Sequence, residues 1–219
     1  MAYCSPQWIS DYVYVSEYNY RLGSSIGDIS PDTQGDVVIG DGLLVWGRIV
    51  NGQITLEPAF RIPANRNIAA PGPYTWEARD AMGHVLARVP FSAPEVADGP
   101  DDSTVQMFSF VVPLKPEILA SMQSMHVKSG NQELARRTVN EAADFQSGVH
   151  IQDAPNGAAQ MVWDADRYPV LMLRDAQTGE VRGFLRGGNA FIESAPKEMT
   201  AHAPDAARGE VMRHKRVAE

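Results

Sequence analysis

The sequence predicts a mostly β protein: an immunoglobulin-like β-sandwich region, as one large or two small sandwiches, preceded by one short N-terminal helix. Three observations predict it. From Leu43 onward apolar residues recur at every second position, the signature of half-buried strands. Turn formers, with Asn51-Gly52 foremost, separate these runs at short intervals. Strands that are many, short and punctuated by Gly, Pro, Asn and Asp favour a sandwich.

Residues 6–22 read as the helix. Ser10 or Asp11 can accept hydrogen bonds from the first free backbone N–H groups, and Gly23 supplies the stop. Its aromatics Trp8, Tyr12, Tyr14, Tyr18 and Tyr20 call for a large apolar surface to pack on. Residues 24–41, rich in Gly, Ser, Asp and Pro, read as a linker.

The β region is expected over 42–194, with room for a subdivision near 140–148. Its first strand, 43–50, turns at Asn51-Gly52 into a run over 53–62. There Ile54, Leu56, Pro58, Phe60 and Ile62 share one face. Strands follow at 74–79, 85–91 and 105–112, then one or two helical turns at 116–123. Further strands are expected at 125–128, 133–138, 149–152, 159–163, 170–174 and 181–186. Gly187-Gly188 reads as a strand end. Residues 195–219 show no period and carry many charges, so they are expected to be a disordered tail.

One frame occurs twice. Arg79-Asp80-Ala81 before Gly83 and Arg174-Asp175-Ala176 before Gly179 each bracket a hairpin. A shared solution to one turn problem explains this, as do two related sandwich halves.

Length and charge bound the function. At 219 residues the chain can bury a sizeable core, and a net charge of −8 offers no basic stripe for nucleic acid. No apolar run reaches the ~20 residues a membrane span needs. Cys4, the one cysteine, excludes an intrachain disulfide and a cysteine metal cluster.

No catalytic residue and no metal ligand is assigned. A zinc peptidase needs two histidines one helical turn apart with a glutamate beside the first. None of the five histidines, His84, His126, His150, His202 and His214, stands in that pattern. His126 and His150 fall on the polar phase of their strands and are expected to face solvent. His84 reads as a turn residue, and His202 and His214 as tail residues. Asp98, Asp101, Asp102 and Ser103 carry oxygen ligands without the spacing of a calcium loop, so they read as a solvated turn. Trp76 and Trp163 share a phase with apolar neighbours and are expected in the core.

The stretch Met1-Ala2-Tyr3-Cys4-Ser5-Pro6-Gln7-Trp8-Ile9-Ser10-Asp11-Tyr12 resembles the Met-turn region of secreted bacterial zinc metallopeptidases and the helix closing their catalytic domain. Residues 44–49, 74–89, 108–113 and 163–188 resemble the β-rich region that follows in that family. The resemblance implies that Met1 is the Met-turn methionine, with Tyr3 and Cys4 beside it. It implies a C-terminal fragment, from a truncated or mis-started gene product or one piece of a split protein. This chain would hold no cofactor and be inactive alone. The longer parent would hold zinc, hydrolyse peptide or protein substrates with zinc-activated water, and be extracellular or periplasmic. The competing reading is a non-catalytic immunoglobulin-like binding or adhesion module, in which Trp46, Trp76 or Trp163 touches carbohydrate or protein.

Overall fold

The computed structural model describes residues 40–64, 69–96, 104–139, 145–193, 195–205 and 211–215. The expected helix over 6–22, the Met-turn-like Met1, Tyr3 and Cys4, nearly all of the 24–41 linker and the Asp98–Asp102 cluster with Ser103 lie outside them. The described residues are mostly β, in antiparallel sheets, with very little helix. Two sandwiches follow one another along the chain, each around its own apolar core.

In the first lobe β1 (Gly40–Val50), β2 (Gln53–Leu56), β3 (Phe60–Ala64) and β6 (Val105–Pro113) form sheet A. Strands β4 (Tyr74–Arg79), β5 (Val85–Phe91), β7 (Ser124–Ser129) and β8 (Gln132–Thr138) form sheet B, ordered β5-β4-β7-β8. Helix α1 (Pro116–Ser121) links β6 to β7. Alternation buries Val45, Ile49, Phe108 and Phe110 of sheet A against Trp76, Phe91, Met125 and Val127 of sheet B. Phe91 stacks on Phe108 and Phe110 with ring centroids 4.7 and 5.0 Å apart. Asn51 and Gly52, at φ 51° and 80°, make the two-residue turn between β1 and β2 that the sequence anticipates.

The run expected as a single strand over 53–62 is two strands. Leu56 pairs with Gly47 and Phe60 with Leu44, so four steps on one side match three on β1. Pro58 has no N–H for the ladder, and Glu57, Pro58 and Ala59 form the break. The Glu57 N–H donates to the Trp46 carbonyl, and Trp46 Nε1 donates to that of Pro58 at 2.7 Å. The extra residue flips the strand. Ile54 and Leu56 face the core, whereas Phe60 and Ile62 are buried outside it, on the opposite face of sheet A.

In the second lobe the short helix α2 (Phe145–Gly148) leads into β9 (Val149–Asp153). Strands β9, β10 (Ala159–Trp163) and β13 (Asn189–Ile192) form sheet C, ordered β13-β10-β9. Strands β11 (Val170–Asp175), β12 (Val181–Arg186), β14 (Glu198–His202) and β15 (Val211–Lys215) form sheet D, ordered β12-β11-β14-β15. Thus the tail expected over 195–219 is corrected: it supplies two strands of sheet D. Met199 and Ala201 alternate into the core, but small residues and flanking prolines give them a faint sequence signal.

The lobes repeat a topology. Hairpin β4–β5 corresponds to β11–β12; the next strand crosses to the other sheet, β6 pairing with β1 and β13 with β10. The chain then returns as β7 or β14 beside the hairpin's first strand, and β8 or β15 forms the edge. The ladder slips at Ala78/Arg79 in one lobe and at Leu173/Arg174 in the other. In both hairpins the Asp Oδ1 accepts two loop N–H groups: Met82 and His84 for Asp80, Gln177 and Thr178 for Asp175. The repeated Arg-Asp-Ala frame therefore marks equivalent places in two like sandwiches.

Candidate functional site

Equivalent strands carry equivalent polar groups. On β7, opposite Arg79 of β4, Ser124 Oγ lies 2.9 Å from His126 Nε2. On β14, opposite Arg174 of β11, Thr200 Oγ1 lies 3.0 Å from His202 Nε2. A hydroxyl, a histidine two residues on and a hairpin arginine thus recur on the outward face of sheets B and D.

The two copies differ in their carboxylates. In the first lobe Glu77, 1% exposed, accepts hydrogen bonds from Arg79 and Arg88, and His126 Nδ1 lies 2.7 Å from Glu133 Oε2. Burial alone would raise the Glu77 carboxyl, but the bonds from Arg79 and Arg88 outweigh it and hold its pKa below the ordinary value. The order Ser124, His126, Glu133 is that of a hydrolytic triad. Ser124 and His126 are only 6% and 4% exposed, however, so a substrate carbonyl has no path to the hydroxyl. The network instead satisfies buried polar groups. The expectation that His126 faces solvent is thereby corrected. It does point away from the core, as its phase requires, but phase says nothing of whether that face is covered.

In the second lobe Met172 stands two residues before Arg174, where Glu77 stands before Arg79, and no carboxylate meets His202 among the described residues. The site there is an open cleft of about 450 Å3, bounded by the 175–179 loop, β14 and β15. Arg174 donates from Nε and Nη2 to the Gly179 carbonyl, at 2.9 and 2.7 Å. Burial, then the Arg174 charge, push the His202 pKa down to about 4, so its ring is neutral at pH 7. Two acids line the cleft. Glu198 is paired with Lys215 at 2.9 Å, and Asp175 caps its own hairpin. Arg213, exposed, lies opposite Thr200 and has no hydrogen-bond or ion-pair partner among the described residues.

A second set of polar residues joins the lobes. Asp205, at φ 52° after β14, donates its N–H to the Ala59 carbonyl and accepts the Ala59 N–H on Oδ1, both at 2.8 Å. Its Oδ2 accepts Arg137 Nε and Nη2 of β8 at 2.6 Å. Burial pushes the Asp205 carboxyl up, against the pull of Arg137. Nearby, Glu57 Oε2 of the β2–β3 break accepts Arg186 of β12 at 3.0 Å. The Phe184 ring packs 5.1 Å from Trp46 and 5.3 Å from Phe60, and Arg186 lies over the Trp46 ring.

The remaining residues of interest fall as follows. His84 is exposed in its turn with Nδ1 3.0 Å from Asp80, and His150 is exposed as expected. His214, expected in the tail, is on β15 and bonds Asp153 at 3.0 Å. Trp76 and Trp163 are in the two cores, as their phase indicates. Trp46, considered above as a ligand-touching aromatic, is half-buried in the joint between lobes. The cleft escapes the sequence because β14 and β15 lie in the stretch that reads as tail. The signal available was the repeat of Ser-x-His as Thr-x-His after two like hairpins.

Among the described residues no three of His, Cys, Asp and Glu converge where a metal ion would sit. No described helix is long and apolar enough to cross a membrane. The chain matches no model of a known protein family, and no curated protein matches it.

Proposed function

We propose that the described region is an accessory module of a zinc-dependent metallopeptidase acting outside the cytoplasm, and that it docks protein substrates rather than cleaving them. The observation that carries the module reading is the joint at Asp205 and Glu57. It fastens two like sandwiches at two charged points and through the Phe184 ring, which meets both Trp46 and Phe60. Such a body holds a surface at fixed distance and orientation, as docking requires. The peptidase part rests on the resemblance of Met1 to Tyr12 to a Met-turn and closing helix. In that assignment zinc ligands come from beyond the described residues, and peptide hydrolysis belongs to the longer protein.

The experiment compares two purified proteins on a denatured protein substrate with zinc present. One is this chain; the other is the longest product of the same reading frame carrying a His-Glu-x-x-His motif upstream. Chelator-sensitive hydrolysis by the longer protein alone is the expected result. Hydrolysis by this chain alone, or a closed frame upstream of Met1, refutes the assignment.

A further inference from the structure

Strands β9, β10 and β13 turn alternate residues away from the second core. The pairing register sets six of them in two rows across the three strands: Gln152, Gln160 and Phe191 in one, His150, Val162 and Asn189 in the other. All six are exposed, Phe191 at 64% and Val162 at 44%. Gln152, Gln160, Asn189 and His150 make no side-chain hydrogen bond among the described residues. An aromatic ring held in water beside three amides with unused donors and acceptors has groups to offer a ligand.

Charge narrows the chemistry. None of the six is Asp, Glu, Lys or Arg, although these make up 21% of the chain. Asp164 and Glu193 follow directly after β10 and β13, and both are exposed. The face has no cation for an anionic chain, and those two carboxylates repel one. Size narrows it further. Three strands about 4.8 Å apart, with five residues in β9 and in β10 at about 3.3 Å each, give a face of roughly 14 by 17 Å, about 240 Å2. A stable protein interface takes about 800 Å2 from each partner. The first lobe shows what a face that docks a sandwich looks like. There β1 holds the place that β10 holds in sheet C, its outward Leu44 is fully buried, and its neighbour Phe60 packs on Phe184. That face is apolar and closed, whereas the face of sheet C is rich in amides and open.

We infer that the outward face of sheet C binds a neutral oligosaccharide with flat pyranose rings. Phe191 supplies the plane on which the C–H face of one ring stacks, and Gln160, Gln152 and Asn189 exchange hydrogen bonds with the hydroxyls. An amide both donates and accepts, as a hydroxyl does, so the two match without any net charge. A pyranose is about as long as the 4.8 Å step between strands, so a chain laid along the Gln152–Gln160–Phe191 row meets one side chain per ring. Trp46, Trp76 and Trp163, considered above as carbohydrate contacts, are withdrawn into the joint and the cores, and the exposed Phe191 takes that role. The inference adds a second class of ligand to the protein docking proposed above and does not depend on it.

The test titrates the full isotope-labelled chain with cellohexaose, xylohexaose and N-acetylchitohexaose, with hexagalacturonate as the charged control. Binding is followed by NMR of the backbone and side-chain amides. The expected result is saturable binding of at least one neutral probe, with shifts of the Gln152, Gln160 and Asn189 side-chain signals and weaker binding of the galacturonate. Phe191→Ala, a change at an exposed position, weakens binding roughly tenfold, and Phe191→Trp retains it. Absence of saturation by all three neutral probes, binding that leaves those amides unmoved, or indifference to Phe191→Ala overturns the inference. Tighter binding of hexagalacturonate overturns the neutral assignment. A concentration-dependent dimer in sedimentation, abolished by Phe191→Ala, overturns it in favour of a second copy of the chain. Failure of the peptidase comparison with a positive titration refutes the enzyme reading and leaves the oligosaccharide face standing.

Discussion

Replacing Asp205 by Asn tests the joint between the lobes at its most exacting point. The side chain is almost fully buried and accepts three hydrogen bonds, one from the Ala59 N–H and two from Arg137. Asn keeps the shape, tolerates the left-handed backbone at φ 52° and can still accept from Ala59. It cannot serve Arg137, because its NH2 group meets the guanidinium donor to donor. Breaking a buried pair by removing one partner costs about 3–5 kcal/mol. The Arg137 side chain is 24% exposed, so water relieves part of that, and about 2–4 kcal/mol is expected here. At roughly 2–4 °C per kcal/mol for a chain of this size, Tm falls by roughly 4–16 °C. Urea unfolding followed by tryptophan fluorescence and far-UV dichroism measures it. The two probes are expected to separate, since Trp46 and Trp76 report on one lobe and Trp163 on the other. A loss within about 0.5 kcal/mol, with coincident transitions, refutes the reasoning.

Phe184→Ala removes the ring that Trp46 and Phe60 share, and about 3 kcal/mol of stability with it, together with a red shift of the Trp46 emission. Unchanged emission and stability within experimental error count against the contact. The neutral His202 predicts a pH dependence. Its folded pKa of about 4 lies below the unfolded 6.5, so the unfolded chain binds the extra proton between those values. The contribution is complete above pH 6.5 and is lost as pH falls towards 4. It is worth about 2 kcal/mol after discounting for partial exposure. Unfolding free energies at pH 7 and pH 4.5 for the parent and His202→Gln check this: the variant loses less on acidification, and equal losses contradict it.

Period-two alternation made most of the fold legible in the sequence. It identified the core-facing sides of β4 and β10 and the core tryptophans Trp76 and Trp163, because alternate residues of a strand face the same side. It failed where an extra residue entered the ladder. Phe60 continues the alternation of Leu56, yet the break around Pro58 turns it to the other face. Alternation also cannot see what lies over a face, so His126 read as exposed. The cleft was hidden for a third reason: Met199 and Ala201 are too few and too small to announce β14 amid charged residues. The twofold Arg-Asp-Ala frame was visible, but its meaning depended on a sheet order that no local pattern encodes.

Two like sandwiches fixed as one body are the premise of the docking role. Backbone residual dipolar couplings of the purified chain test this directly, measured for β1, β4 and β7 in one lobe and for β10, β11 and β14 in the other. A single alignment tensor fitting both sets, lost in Asp205→Asn, is the predicted result. Two tensors of different magnitude or orientation in the unmodified chain would contradict it.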